Sequence, residues 1–207
     1  MLRPEHSALG VGAGRECLIF YLADRLREVV ASDLYGNKTW STNIAREATR
    51  EILQNPGKFC PRAFRGDHLQ LAYADGTQLQ FDANRFDICW SMSSIEHFGG
   101  HEKASQAVSE MARVTRPGGV LAIATEYLLL PEYQHPEYFT REEIARYLID
   151  RHANLECIGT IDWHALPEEY LTESIIFPAG IHRVRRHVVL NDGQVQWTSI
   201  LLLYRKR

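Results

Sequence analysis

The chain has 207 residues, 45% of them hydrophobic and 24% charged, with a formal net charge of −3 and an isoelectric point near 6.3. That length can bury a full core as one domain over residues 1–207. The charge supplies no overall basic field for nucleic acid, and Arg183, Arg185 and Arg186 read as a solvated face rather than a phosphate track. Its four cysteines, Cys17, Cys60, Cys89 and Cys157, lack any C-x-x-C spacing, which argues against a zinc site and a disulfide framework. The chain shows no apolar run of membrane-spanning length and no leader pattern, so no membrane is expected and a reduced cytoplasmic setting is.

In chain order, strands are expected near 7–11, 28–32, 69–73, 86–91, 119–126, 155–161 and 195–205, and helices near 16–26, 42–54, 101–114 and 140–151. This alternation predicts an α/β fold, a Rossmann-like seven-stranded, mostly parallel sheet with helices on both faces. Over 101–114, Ala104, Ala107, Val108, Met111 and Val114 recur at helical spacing as a core stripe. Thr140 and Glu143 form a capping-box pattern at the start of the last helix. Asn191-Asp192-Gly193 marks a turn joining 184–190 to 195–205 as a hairpin. Between them, 163–183 carries Pro167, Pro178 and Gly180 and could form a lid over a substrate. Cys17 and Cys89 fall in apolar runs and are expected in the core.

Three short signals carry the functional reading. Gly12 and Gly14 occupy the turn between the first strand and first helix, where a ligand can approach bare backbone. Asp33 ends the second strand 19 residues beyond Gly14, the spacing at which a carboxylate can accept hydrogen bonds from ribose hydroxyls. Arg116-Pro117-Gly118-Gly119 precedes the apolar fifth strand. A dinucleotide fingerprint needs a third small residue, yet Cys17 holds that place counting from Gly12, and Arg15 holds it counting from Gly10. S-adenosylmethionine has no pyrophosphate and needs only the close backbone approach and the ribose clamp, so it is favoured over NAD.

The stretches A-L-G-V-G-A-G-R-E (8–16), S-D-L-Y-G (32–36), A-D-G (74–76), F-D-I-C-W-S-M-S-S-I-E-H (86–97) and R-V-T-R-P-G-G-V-L (113–121) occur in one order. With them the chain resembles the class I S-adenosylmethionine-dependent methyltransferases of the small-molecule type, over roughly 8–162. The resemblance implies an antiparallel C-terminal strand. It also implies donor binding by Gly10, Gly12, Gly14, Glu16, Asp33, Leu34, Asp75, Gly76, Ser91 and Met92. Gly10 stands where the family usually has an acid, and Glu16 where it often has a third glycine. Glu16 on the first helical turn would suit the helix dipole and could meet the methionine ammonium. Asp75-Gly76 reads either as an adenine contact or as a plain turn.

His97, where the fourth strand ends, can take a proton from an acceptor hydroxyl, or simply cap a helix. Glu126, at the end of the fifth strand, is a second base candidate or a loop cap. Tyr133, Tyr138 and Phe139 could wall an acceptor pocket or cover the core. His97 and His101 are four apart, but Gly99-Gly100 between them spoils helical ligand geometry, so no metal is expected. The expected reaction is transfer of the sulfonium methyl to an oxygen or nitrogen of a small molecule or sugar intermediate. The alternative is a catalytically degenerate relative that binds a partner. Few residues precede the first strand, so the donor site is either open or closed by another subunit of a homo-oligomer.

Overall fold

The computed structural model of the chain describes residues 2–14, 16–35, 51, 54–60, 63–163, 175–176 and 188–207. Nine strands share one sheet: β1 (Ser7–Val11), β2 (Glu28–Asp33), β3 (Leu69–Tyr73), β4 (Phe86–Met92), β5 (Thr115–Leu128), β6 (Leu155–Cys157), β7 (Ile175–Ile176), β8 (Leu190–Asn191) and β9 (Gln196–Lys206). Their order is β3-β2-β1-β4-β5-β9-β8-β7, with β6 pairing β9 off this path. The first five strands are parallel, and β9 returns antiparallel along β5 from Val120↔Arg205 to Leu128↔Trp197. The seven expected strands are therefore present, and the two-residue β7 and β8 extend the far edge. The chain's path reverses at β1, which lies between β2 and β4, and open sheets of this kind bind ligands at the carboxyl ends of the strands beside that reversal.

Alternation along the strands sends side chains to two cores. Leu9, Val30, Cys89, Leu121 and Ile123 face the side covered by α2 (His101–Val114) and a later helix, α3 (Arg141–Glu143), which runs into a π-helical turn (Ile144–Ile149). Ala8, Val29, Ala31, Trp90 and Ala122 face the side covered by α1 (Cys17–Ala23). The α2 stripe Ala104, Ala107, Val108, Met111 and Val114 is fully buried. Thr140 and Glu143 make the reciprocal capping box, which satisfies backbone donors that the start of a helix leaves open. Asp192 Oδ1 accepts from the Gln194 and Val195 N–H groups and so forms the turn between β8 and β9.

Several expectations shift. α1 ends at Ala23, with Asp24 as its C-cap, rather than running to 26. Cys17 is exposed on α1, because the helix turns Ile19, Phe20, Leu22 and Ala23 inward instead. β6 stops at Cys157, two residues before Gly159, whose φ of +81° takes the chain out of extended geometry. Most of the expected 42–54 helix, the 164–174 and 177–183 parts of the expected lid, and the Arg183, Arg185 and Arg186 cluster lie outside the described residues.

Arg116-Pro117-Gly118-Gly119 lies at the amino end of β5, across the sheet from the carboxyl ends. There the β4–β5 register jumps from Phe86↔Thr115 to Ile88↔Val120, so the four residues form a bulge. Gly118 takes φ +78°, and a Cβ on Gly119 would stand 2.8 Å from the carbonyl oxygens of both Arg116 and Asp87. This motif is structural: it lets two backbones approach where no side chain fits. Gly119→Ala is expected to destabilise the chain by about 1–3 kcal/mol, read by urea denaturation, because overpacking beside fixed backbone cannot relax. Ligand affinity at the carboxyl ends should stay within twofold of wild type.

Candidate functional site

A cavity of about 260 Å³ opens at the carboxyl ends of β1, β2, β3 and β4, walled by Gly12, Asp33, Leu34, Ala74, Asp75, Gly76, Thr77, His97, Phe98, Gly99 and Lys103. Its floor is the loop after β1. Gly12 (φ +65°) and Gly14 (φ +50°) both take left-handed backbone, which glycine alone adopts without strain. The loop is tied down on three sides: the Ala13 N–H donates to Ser32 O, Ser94 Oγ donates to Gly12 O at 2.8 Å, and the Gly14 N–H donates to Asp33 Oδ2 at 2.9 Å.

Asp33 is 5% exposed and stands where β2 meets the cavity. Its other oxygen accepts from the Leu34 N–H at 2.6 Å. Burial pushes its carboxyl up, against the pull of backbone N–H groups of Gly14, Leu34 and Tyr35. A carboxylate has about four acceptor sites, so these backbone donors leave capacity for a hydroxyl donor from a ligand. Asp75 spends one oxygen on an Asx turn, accepting from the Thr77 N–H at 2.8 Å and the Thr77 hydroxyl at 2.7 Å. The turn reading and the cavity position therefore coexist. Gly76 packs beneath Phe98 and Val11, so the ring of Phe98 closes over a place that only glycine leaves free.

Six of the expected residues thus share this cavity: Gly12, Asp33, Leu34, Asp75, Gly76 and His97. The others lie around it. Gly14 acts through Asp33. At Gly10 a Cβ would stand 2.5 Å from Trp90 Cζ2, so the indole fills the room beside this strand, and a ligand does not reach Gly10 from that face. Glu16 is the extended N-cap residue of α1 rather than a first-turn residue, and its Oε1 accepts from Trp90 Nε1 at 2.5 Å. Ser91 is fully buried in β4, and Met92 packs against the α1-side core, because the strand continues to alternate between the two cores up to its end. Glu126 stands behind the cavity, accepting weakly from the Ser199 hydroxyl.

Around His97 the structure assembles acids that were not singled out as site residues. His97 Nδ1 lies 3.2 Å from Glu137 Oε2, and Nε2 lies 4.0 Å from Glu96 Oε1. Glu96 is fully buried, and its other oxygen accepts from the Thr125 hydroxyl at 3.0 Å. Burial pushes the Glu96 carboxyl up to about 7, with the charge of His97 opposing and that of Glu126 adding. Burial alone would lower His97, but the hydrogen bond to Glu137 and the charges of Glu96, Glu137 and Glu126 outweigh it and raise the imidazole.

His101 is structural: Nε2 meets Tyr138 O at 3.0 Å and Nδ1 lies 3.5 Å from Glu143. Phe139 is fully buried, while Tyr138 stacks on His135 and packs on Trp197, so these aromatics cover the core. Among the described residues, no three His, Cys, Asp or Glu side chains gather as a metal site, and no helix is long and apolar enough to cross a membrane.

The parallel sheet with its strand reversal at β1, the antiparallel β9, and an acid and glycine loop on one cavity define a Rossmann-like nucleoside-binding architecture. Residues 9–123 match the methyltransferase domain family. The chain belongs to that family, the S-adenosylmethionine-dependent methyltransferases of class I. It is 44% identical over 72 residues to a ubiquinone/menaquinone biosynthesis C-methyltransferase of Bdellovibrio bacteriovorus, covering 35% of this chain and 28% of the relative. It is 23% identical over 181 residues to the 2-methyl-6-phytyl-1,4-hydroquinone methyltransferase of Synechocystis, covering 82% and 52%. The chain thus spans about half or less of these curated relatives. Among solved structures, geranyl diphosphate C-methyltransferase from Streptomyces coelicolor superposes with a TM-score of 0.63 at 19% identity, covering 99% of this chain and 72% of that one. A methyltransferase from Methanosarcina mazei gives 0.62 at 14% identity, covering 99% and 94%.

The buried Glu96 carboxyl makes stability depend on pH. Its folded value, about 7, lies above its ordinary 4.5, so between these the native state holds more protons than the unfolded chain. Stability should therefore be greatest below that window and decline as pH rises through it, by about 3 kcal/mol at most. His97, also raised, contributes in the same direction. Urea denaturation at pH 5 and pH 8 should show this decline in wild type and a smaller one in Glu96→Gln; equal declines would refute the assignment.

Proposed function

We propose that this chain transfers the methyl group of S-adenosylmethionine to a small, uncharged molecule bearing an ionisable hydroxyl. The methyl is placed on that oxygen, or on a carbon that loss of the hydroxyl proton makes nucleophilic. The observation that carries this reading is that one cavity is walled by both a buried ribose-type acid, Asp33, and a histidine, His97, set among carboxylates. The quinone- and hydroquinone-directed names of two relatives, one of them a C-methyltransferase, support the carbon alternative.

The residues fit the donor's nucleoside. Asp33 offers remaining acceptor capacity to ribose hydroxyls, Leu34 and Phe98 offer apolar surface to a purine, and Asp75 keeps one oxygen outside its turn. Glu16, fixed by the Trp90 indole beside the glycine loop, supplies a carboxylate for the methionine ammonium. When bound, S-adenosylmethionine supplies a methyl group on a positively charged sulfur. His97 takes the hydroxyl proton, and Glu96 and Glu137 stabilise the imidazolium that results. Alignment of donor and acceptor within the cavity supplies much of the acceleration, since proximity alone is worth up to about 7–11 kcal/mol. Glu126 adds negative potential at His97.

Calorimetric titration with S-adenosylhomocysteine should give micromolar binding that Asp33→Asn weakens by about 10- to 100-fold, as expected for hydrogen bonds to a charged acceptor. NAD should not bind. With donor binding established, a screen of phenols, quinols and amines should find turnover that His97→Gln reduces by about 10²-fold or more while leaving S-adenosylhomocysteine affinity unchanged. Tight binding with no turnover on any acceptor would instead establish a degenerate, partner-binding relative.

A further inference from the structure

We propose that Glu137 is a positioning residue for His97: it holds the imidazole as the Nδ1–H tautomer and so leaves Nε2 as the proton-accepting nitrogen. This deepens the reading above and rests on it for its chemistry. Glu137 lies beyond the 9–123 stretch that defines the family match.

The geometry comes from both partners. His97 ends a short 3-10 turn (Ile95–His97) that follows β4, and it lines the cavity that Asp33 also walls. Nδ1 lies 3.2 Å from Glu137 Oε2. A carboxylate accepts and cannot donate, so the proton of the neutral ring belongs on Nδ1 and the lone pair on Nε2. When a hydroxyl proton transfers, the O–H bond breaks, an Nε2–H bond forms, and the electron pair stays on oxygen. The new imidazolium then has a carboxylate on each side: Glu137 at 3.2 Å from Nδ1 and, 4.0 Å from Nε2, Glu96 Oε1, a buried oxygen without a hydrogen-bond partner among the described residues.

Glu137 is fixed from both directions along the chain. Upstream, His135 Nδ1 accepts from the backbone N–H groups of Glu137 and Tyr138, at 3.2 Å and 3.0 Å. Downstream, the Phe139 N–H donates to Glu126 O at 3.0 Å and the Leu128 N–H to Phe139 O at 2.8 Å, which staples the loop to the end of β5. The buried Phe139 ring and the bond between His101 and Tyr138 O secure the same loop. Such support is what a catalytic partner needs, because a loosely held carboxylate does not select a tautomer.

Among the described residues, the other titratable groups around His97 include Glu96 on its own turn, Glu126 on β5, His135 on the loop, and Asp33, Asp75 and Lys103 on the cavity wall. Carboxylates predominate, and the imidazole is raised although burial opposes it. The same excess disfavours an anionic acceptor.

The test is nitrogen-15 NMR of the histidine side chains in the full chain across pH 5–9, with His97→Gln identifying the His97 signals among the nine histidines. In wild type the neutral ring should show the Nδ1–H tautomer in about tenfold excess, as a hydrogen bond to a charged acceptor supports. In Glu137→Gln that excess should disappear and the titration midpoint should fall, whereas Glu137→Asp should retain part of both. An unchanged tautomer ratio and midpoint in Glu137→Gln, with Glu137→Ala agreeing, would overturn the proposal. S-adenosylhomocysteine titration of the same samples separates the two readings: loss of binding in every sample, wild type included, defeats the proposed function, while the NMR result still decides the role of Glu137.

Discussion

One buried carboxylate organises the ligand end of this molecule. Asp33 accepts from Gly14 on one side and from Leu34 on the other, and so ties the loop after β1 to the end of β2. Holding a carboxylate at 5% exposure is unfavourable unless backbone donors surround it, and the left-handed glycines of the loop turn those donors inward. The same arrangement that stabilises the loop leaves acceptor capacity on Asp33, which walls the cavity. Fold and proposed donor site share one interaction here.

A second constraint runs through Trp90. Its indole fills the space that Gly10 leaves beside β1, and its N–H reaches Glu16 in front of α1. The two departures from the family pattern, Gly10 and Glu16, thus both meet this one ring.

The acidic surroundings of His97 belong to a different level of organisation. Glu96 arrives with the turn after β4, Glu126 with β5, and Glu137 with a loop stapled back onto β5. None of these is near another in the ligand-binding order of the motifs. Together they raise the imidazole, while burial pushes the Glu96 carboxyl up to about 7.

The chain's own order of residues determined the strand–helix alternation, the glycine turn, the acid at position 33 and the α2 core stripe, because each depends on local periodicity or on a backbone conformation that few residues adopt. The exposure of Cys17 and the structural role of Arg116-Pro117-Gly118-Gly119 were not legible there, since each depends on which neighbour packs opposite. The Trp90–Glu16 contact joins residues 74 apart, and the His97–Glu137 contact joins residues 40 apart. Only the tertiary structure decided them: distance along the chain says nothing about two side chains until strand register brings their backbones together.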